Sequence, residues 1–152
     1  MAQPNQGFLH FLTHWFSGLI DGLESLDRPA REAILRQCGK ACAQSYTAEL
    51  FQRASEESRD ADEFLILLAA SFPEATYERL PAGDIRVRYS HCACDLVTQG
   101  LVESPLICRC SAYNLQENFE RAWGVPVHVR LERSILTGAP DCAFIVTPES
   151  PV

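Results

Sequence analysis

The chain has 152 residues, of which 47% are hydrophobic and 22% are charged, a composition typical of one globular domain. Its formal net charge of −7 argues against a nucleic-acid-binding protein, because phosphate contacts need a basic surface. The same charge disfavours docking on anionic lipid. We expect a single domain over 1–152, with a flexible segment 1–7, a helical half 8–73 and a sheet half 84–147.

In the first half, apolar residues recur at spacings of three and four, which predicts amphipathic helices. The first helix carries the stripe Phe8, Leu12, Trp15, Leu19, Leu23 and Leu26. Asp27 is predicted to cap a second helix, with Pro29 in its first turn, that runs into the polar stretch 55–60. A third helix is predicted to begin at Asp62 and to end before Pro73. Because the apolar arc of the first helix is broad for an outer surface, we expect a homodimer that buries part of it.

Beyond residue 84 the apolar residues alternate with polar ones, which predicts strands with one buried face. Strands are predicted over 84–92, 125–136 and 142–147. Between the first two, Ser111 is predicted to cap a helix that Gly124 ends. The predicted fold is therefore α+β, with N-terminal helices packed on an antiparallel sheet and a strand-helix-strand-strand succession at the C-terminal end.

Seven cysteines occur, six of them in close pairs: Cys38/Cys42, Cys92/Cys94 and Cys108/Cys110, with Cys142 alone. The N-terminal residues MAQPNQG contain no basic region of a secretory signal, and no apolar run reaches the roughly 20 residues of a membrane span. We therefore expect a cytoplasmic protein with reduced thiols. Clustered thiols in a reducing compartment are more often metal ligands or reactive groups than structural disulfides.

The two Cys-x-Cys pairs give the strongest local signal for a functional site. Cys92 and Cys94 are separated by thirteen residues from Cys108 and Cys110, a spacing within the range of paired zinc-ligand motifs. These four thiols are predicted to bind a metal ion, with His91 as a substitute ligand. Four thiolates suit zinc, and they would equally hold an iron–sulfur cluster. A small molecule is the other ligand that we consider.

The same cysteines allow two other interpretations. Positive charge from Arg86, Arg88 and Arg109, together with a helix N-terminus after the second pair, would lower the thiol pKa values and favour redox or nucleophilic chemistry. Alternatively, the cysteines are small hydrophobic residues that only fill the core.

The remaining cysteines and two histidines are weaker candidates. Cys38 and Cys42 lie four apart on one helix face, where they either face a pocket or allow close helix packing. Cys142, at the start of the last strand, either contacts the pocket or is buried by packing. His10 and His14 are also four apart, but no HExxH motif contains them, so we expect both to be exposed to solvent.

The C-terminal half resembles a known family. A strand with Ser134, a turn with Gly138 and an apolar strand with Cys142 and Phe144 are similar to the end of 4-vinyl-reductase-type domains and of L-2-amino-thiazoline-4-carboxylic acid hydrolase-like proteins. The resemblance covers about residues 84–147. It implies an α+β fold that binds or senses small molecules, is often dimeric through its N-terminal helices, and in some members holds a metal by cysteines.

Three functions follow from these observations. The first is a metal- or small-molecule-binding protein of sensor or accessory type. The second is a hydrolase of the amino-thiazoline-carboxylate type that uses a metal or a cysteine. The third is a thiol redox protein. The sequence does not decide whether the protein is an enzyme, and it identifies no catalytic residue.

Overall fold

The computed structural model describes residues 5–152, so the first four residues of the predicted flexible segment 1–7 lie outside it. The described N-terminal half consists of α1 (Gln6–Ser25), α2 (Arg28–Cys42), a π-helical turn (Ala43–Thr47), α3 (Ala48–Glu57) and α4 (Ala61–Ser71). None of the helices within residues 5–152 has the length and apolar character that crossing a membrane requires.

Side-chain caps decide where these helices begin. Asp27 accepts a hydrogen bond from the Ala30 N–H at 2.9 Å, so α2 begins as predicted. The predicted start of α4 at Asp62 is wrong by one residue, because Asp60 provides the cap and accepts from the Glu63 N–H at 2.8 Å. The predicted second helix does continue through α2 and α3, but the π turn joins the two parts.

The second half contains β1 (Ala75–Arg79), β2 (Ile85–Tyr89), α5 (Asp95–Thr98), α6 (Ile107–Trp123), β3 (Val127–Arg133) and β4 (Cys142–Pro148). The four strands form an antiparallel sheet in the order β1-β2-β4-β3, which confirms the α+β class. The sequence did not predict β1, because its alternation of apolar and polar residues is short and weak, as in many edge strands.

Three predicted elements of this half have boundaries that are wrong by more than one residue. The strand predicted over 125–136 covers only Val127–Arg133, because Ser134 caps a 3-10 turn after it. The strand predicted over 84–92 ends at Tyr89, so Cys92 and Cys94 lie in the loop that follows it. The helix predicted to begin at Ser111 already begins at Ile107, which places Cys108 and Cys110 in its first turn. Its predicted end is confirmed, because Gly124 adopts the left-handed conformation with φ 67° that a residue with a Cβ rarely takes.

The sheet has one apolar face and one charged face. Ile85, Val87 and Phe144 point toward the helices and are buried. On the opposite face, Arg86 lies 3.3 Å from Glu78 and 3.4 Å from Glu132. Ion pairs on that face cover a sheet surface that would otherwise be open to solvent.

Helix α6 is the central helix of the fold. It packs against β3 and β4 on one side and against α2 and α3 on the other, while α4 packs on β1. Close approach of α2 and α6 depends on Gly39, since a Cβ there would lie 2.6 Å from the Cys110 carbonyl oxygen. The sheet and α6 enclose the larger hydrophobic cluster, and a second, smaller cluster joins α1 and α2 to the start of α6.

Candidate functional site

An apolar cavity of about 300 Å³ is lined by residues of both hydrophobic clusters. Its walls come from α1, α2, the π turn, the loop 92–102, the start of α6 and the start of β4. The apolar wall residues include Phe16, Leu19, Ile20, Leu23, Leu35, Val102, Ile107, Leu115 and Phe144. On α1 the four residues lie at positions i, i+3, i+4 and i+7 of one helix face, so part of the broad apolar arc predicted for this helix supplies a wall of the cavity.

All seven cysteines of the chain line this cavity: Cys38, Cys42, Cys92, Cys94, Cys108, Cys110 and Cys142. The cysteines differ in their depth. Cys38 and Cys42 are exposed where the cavity reaches the surface, whereas Cys108 and Cys142 are 5% and 7% exposed. The cavity therefore carries thiols from its mouth to its deepest wall. All seven are free thiols.

The two deepest thiols are held by one short turn. Ser134 caps a 3-10 turn, Ile135–Thr137, by accepting a hydrogen bond from the Leu136 N–H at 3.1 Å. The Ser134 Oγ also lies 3.0 Å from the Cys108 Sγ and shares a hydrogen bond with it. The next residue, Ile135, donates its N–H to the Cys142 Sγ at 3.4 Å. Two consecutive residues thus fix both sulfur atoms.

Burial, rather than positive charge, has the largest effect on the pKa values of these thiols. Burial raises the pKa values of Cys92, Cys94 and Cys108 above the ordinary thiol value. It raises the pKa of Cys110 to about 12, with smaller contributions in the same direction from Cys38 and Cys42. The thiols with raised pKa values are therefore protonated and uncharged at neutral pH, which makes them weak nucleophiles.

The predicted lowering of the thiol pKa values by arginine is wrong. Arg109 pairs with Glu32 of α2, with 2.5 Å between its Nε and the Glu32 Oε1. Arg88 pairs with Asp141 at 2.8 Å on the charged face of the sheet, and Arg86 pairs on that same face. None of the described cavity-lining residues is basic, whereas Glu74 and Asp95 are acidic.

The histidines lie away from the cavity lining. His91 is exposed, and its Nδ1 lies 3.1 Å from the Ser90 Oγ. His10 and His14 are exposed on α1, as predicted, with ring centroids 4.4 Å apart.

Within residues 5–152, no three His, Cys, Asp or Glu side chains are gathered as a set that could hold an ion. Zinc binding by Cys92, Cys94, Cys108 and Cys110 stays a prediction, and elemental analysis of protein purified without added metal tests it.

The π turn is the part of the site that the sequence did not predict. It contributes Ser45, Tyr46 and Thr47 to the cavity lining. Buried Asn118 of α6 holds it in place by donating to the Thr47 Oγ1 at 3.0 Å. A buried amide on an otherwise apolar helix face is a sequence signal for such a contact, because buried polar groups need partners. π turns frequently occur at functional sites.

Comparison with known proteins adds information about the fold only. No protein-family model matches the chain, and no curated protein matches its sequence.

Solved structures do match. The phenol-responsive sensory domain of the transcription activator PoxR, solved with phenol, aligns with 90% of this chain and 74% of its own at 10% identity, with a TM-score of 0.58. A trafficking protein particle complex subunit 3 from Naegleria fowleri, covalently bound to palmitic acid, aligns with 97% of this chain and 99% of its own at 11% identity, with a TM-score of 0.59. An H-NOX protein from S. oneidensis in the Fe(II)NO ligation state aligns with 99% of this chain and 78% of its own at 12% identity, with a TM-score of 0.55.

These identities are too low to transfer an activity, so the chain shares a fold with these proteins and no more is established. A vinyl-4-reductase family protein from Methanocaldococcus jannaschii aligns with 99% of both chains at 13% identity, but its TM-score of 0.39 carries no argument. The α+β fold that the resemblance implies is present in the structure, whereas no comparison supports its hydrolase part.

The four signature residues of the resemblance have structural roles. Ser134 and Gly138 begin and end the 3-10 turn, and Gly138 has a φ of 91°. Cys142 accepts the hydrogen bond from that turn, and Phe144 is buried in the sheet core.

Proposed function

We propose that this chain is a small-molecule-binding protein of sensor or accessory type, whose ligand is apolar and uncharged. The observation that carries the proposal is the apolar cavity of about 300 Å³. Ligand pockets are concave, mostly apolar and start at roughly this volume. The space equals about ten water molecules in the liquid, which suits a ligand of one or two rings or a short acyl chain.

The charges at the site support an uncharged ligand. The acidic Glu74 and Asp95 among the lining residues would repel an anion, and the described lining offers no basic partner. An organic cation would meet a wall of aliphatic side chains and neutral thiols over most of the cavity, where a buried charge is costly.

Ligands bound by proteins of the same fold also support the proposal. The PoxR domain was solved with phenol, and the trafficking complex subunit holds palmitic acid. Both ligands are largely apolar. Hydrolysis is less well supported, because a cysteine nucleophile needs a lowered pKa, and burial raises the pKa values of Cys92, Cys94, Cys108 and Cys110 instead.

Binding of N-phenyl-1-naphthylamine, an uncharged apolar dye, tests this function. We expect saturable fluorescence enhancement with one dye per chain. Phenol should compete with the dye, whereas a short fatty acid, an anion at neutral pH, should compete poorly. Ser111 is a small residue on the α6 wall, so Ser111→Phe fills the cavity from within. This variant should weaken dye binding at least tenfold, or about 1.4 kcal/mol.

The matched control is Ala70→Phe, which adds the same ring on the exposed side of α4, away from the cavity lining. It should bind the dye as the unmodified chain does. Equal binding by Ser111→Phe and Ala70→Phe, or a lack of saturable binding, would contradict the proposed function.

A further inference from the structure

The inference concerns the deepest wall of the cavity and rests on the proposed function, since it specifies the ligand of the same site. Cys108 and Cys142 both line the cavity, both are buried, and their sulfur atoms contact the consecutive residues Ser134 and Ile135. The two thiols therefore lie against the same short turn and face the same apolar space.

Charge restricts what such a pair can bind. A zinc ion held by four thiolates carries a net charge of −2, and a buried charge needs a compensating partner. The described lining contains Glu74 and Asp95 but no basic residue. A ligand whose complex with thiols is uncharged avoids this cost. Two thiols must also be enough to bind the ligand, because no set of three or more metal-ligating side chains is gathered within residues 5–152.

We propose that Cys108 and Cys142 bind a trivalent arsenical with one apolar organic substituent, and that the substituent occupies the cavity. In the dihydroxy form of such a compound, arsenic bears the organic group and two hydroxyl groups. Each thiol forms an S–As bond and gives its proton to a departing hydroxyl group, so two water molecules leave. Arsenic stays trivalent, no electrons are transferred, and the product is neutral.

The protonation state of the site agrees with this chemistry. Burial raises the pKa of Cys108 and outweighs the lowering by the Ser134 hydrogen bond, so the thiol enters the reaction with its proton. Condensation consumes that proton as part of water and leaves no buried charge. A thiolate-dependent reaction would instead be slowed by the same raised pKa.

Phenylarsine oxide, which hydrates to the dihydroxy form, is the probe. We expect one phenylarsenic group per folded chain by intact-mass analysis, with a mass increase equal to that group less two hydrogens. Cys108→Ala/Cys142→Ala should lose this adduct at equimolar probe. Ala70→Phe, changed on the exposed side of α4 and away from the cavity lining, retains all seven thiols and should keep it.

Two further measurements keep the inference separate from the proposed function. Circular dichroism of Cys108→Ala/Cys142→Ala should match that of the unmodified chain, which shows that loss of the adduct is not loss of the fold. If that variant fails to fold, Ser111→Phe decides, since it retains all seven thiols and should still lose the adduct at least tenfold relative to Ala70→Phe. An adduct on Cys38/Cys42, or one retained by Cys108→Ala/Cys142→Ala or by Ser111→Phe, would overturn the inference even where dye binding succeeds.

Discussion

Gly39 shows how strongly one residue can constrain the site. A Cβ at this position would lie 2.6 Å from the Cys110 carbonyl oxygen and 2.8 Å from the Asn114 amide nitrogen. Both are backbone atoms of α6, so they cannot move aside as a flexible side chain would. The approach of α2 to α6, and with it the distance across the cavity between Cys38 and Cys110, depends on the absence of this one carbon atom.

We predict that Gly39→Ala destabilises the protein. Overpacking costs about 1–3 kcal/mol, and better helix propensity returns only about 1 kcal/mol, so the free energy of unfolding should fall by up to about 2 kcal/mol. Urea denaturation measures the change. Gly22→Ala is the control, because Gly22 lies in α1 with no atom within 4 Å of an added Cβ. That variant should be neutral or slightly stabilising, and an equal effect of the two substitutions would contradict the argument.

The sequence came close to this contact without identifying it. The small residues around Cys38 and Cys42 suggested close helix packing, and the structure combines that interpretation with a pocket. Glycine in a helix interior costs about 1 kcal/mol relative to alanine. Gly39 is therefore a stronger indication of close helix packing than the other small residues around Cys38 and Cys42. The sequence does not show which helix packs against Gly39, because α6 begins 68 positions further along the chain.

Among the elements, α1 is the one whose surface is incompletely covered. Phe8, Phe11 and Trp15 are 52%, 56% and 54% exposed. In contrast, Ile20 and Leu23 are buried in the smaller hydrophobic cluster. The helix therefore divides its apolar residues between the cavity wall and an open face. Covering that face in a homodimer would remove the exposed aromatic rings from water, which is favourable by roughly 25 cal/mol per Å².

We predict a homodimer that forms through this face of α1. Light scattering should return about twice the chain mass of 17.0 kDa at micromolar concentration. Phe11→Glu/Trp15→Glu should reduce the mass to that of one chain, because it places charges in the apolar contact. Ser17→Glu, on the same helix, serves as the control and should leave the dimer intact. A native mass near 17.0 kDa would disprove the prediction.

Element boundaries explain most of the differences between the predicted and the observed site. Periodicity located α1, α2, β2 and β4 well, since each buries a regular face. It failed at Cys92, Cys94, Cys108 and Cys110. Cys92 and Cys94 lie in an irregular loop, where Cys94 packs on the smaller hydrophobic cluster. Cys108 and Cys110 lie in the first turn of a helix that has no side-chain N-cap. Tertiary contacts determine both segments, and local patterns do not report such contacts.

At the scale of the whole molecule, the buried thiols make stability sensitive to alkaline pH. Their folded pKa values are raised, so their contribution is complete below the ordinary thiol value of 9.0 and is lost as the pH rises toward the folded value. For Cys110 that folded value is about 12. The unfolded chain ionises its thiols first, and this favours unfolding over that range.

We predict that the free energy of unfolding falls between pH 9 and about pH 12, and that Cys110→Ala makes the fall less steep. Denaturation series at several pH values measure it. Part of the fall should remain, because burial also raises the pKa values of Tyr77 and Tyr89. Ser17→Ala, at an exposed position of α1 away from the thiols, is the control. Identical pH profiles for Cys110→Ala and the native chain would exclude the proposed cause.

The cavity itself was beyond sequence-based prediction. It is formed by segments from residue 16 to residue 144, and the two Cys-x-Cys pairs are only part of its lining. The sequence correctly indicated an α+β fold and drew attention to the cysteines. It did not reveal that all seven surround one apolar space, since that depends on how α1, α2 and α6 meet.

The π turn between α2 and α3 is a place where the chain could be shortened by one residue without loss of the helices on either side. Such a turn holds one residue more than a regular α-helical turn, so deleting Ser45 would restore an ordinary helix. The flanking faces would keep their phase, with Leu35 and Phe51 still directed into the core. Only the cavity wall would be altered. A deletion at this turn would therefore reshape the cavity while the rest of the fold stays in place.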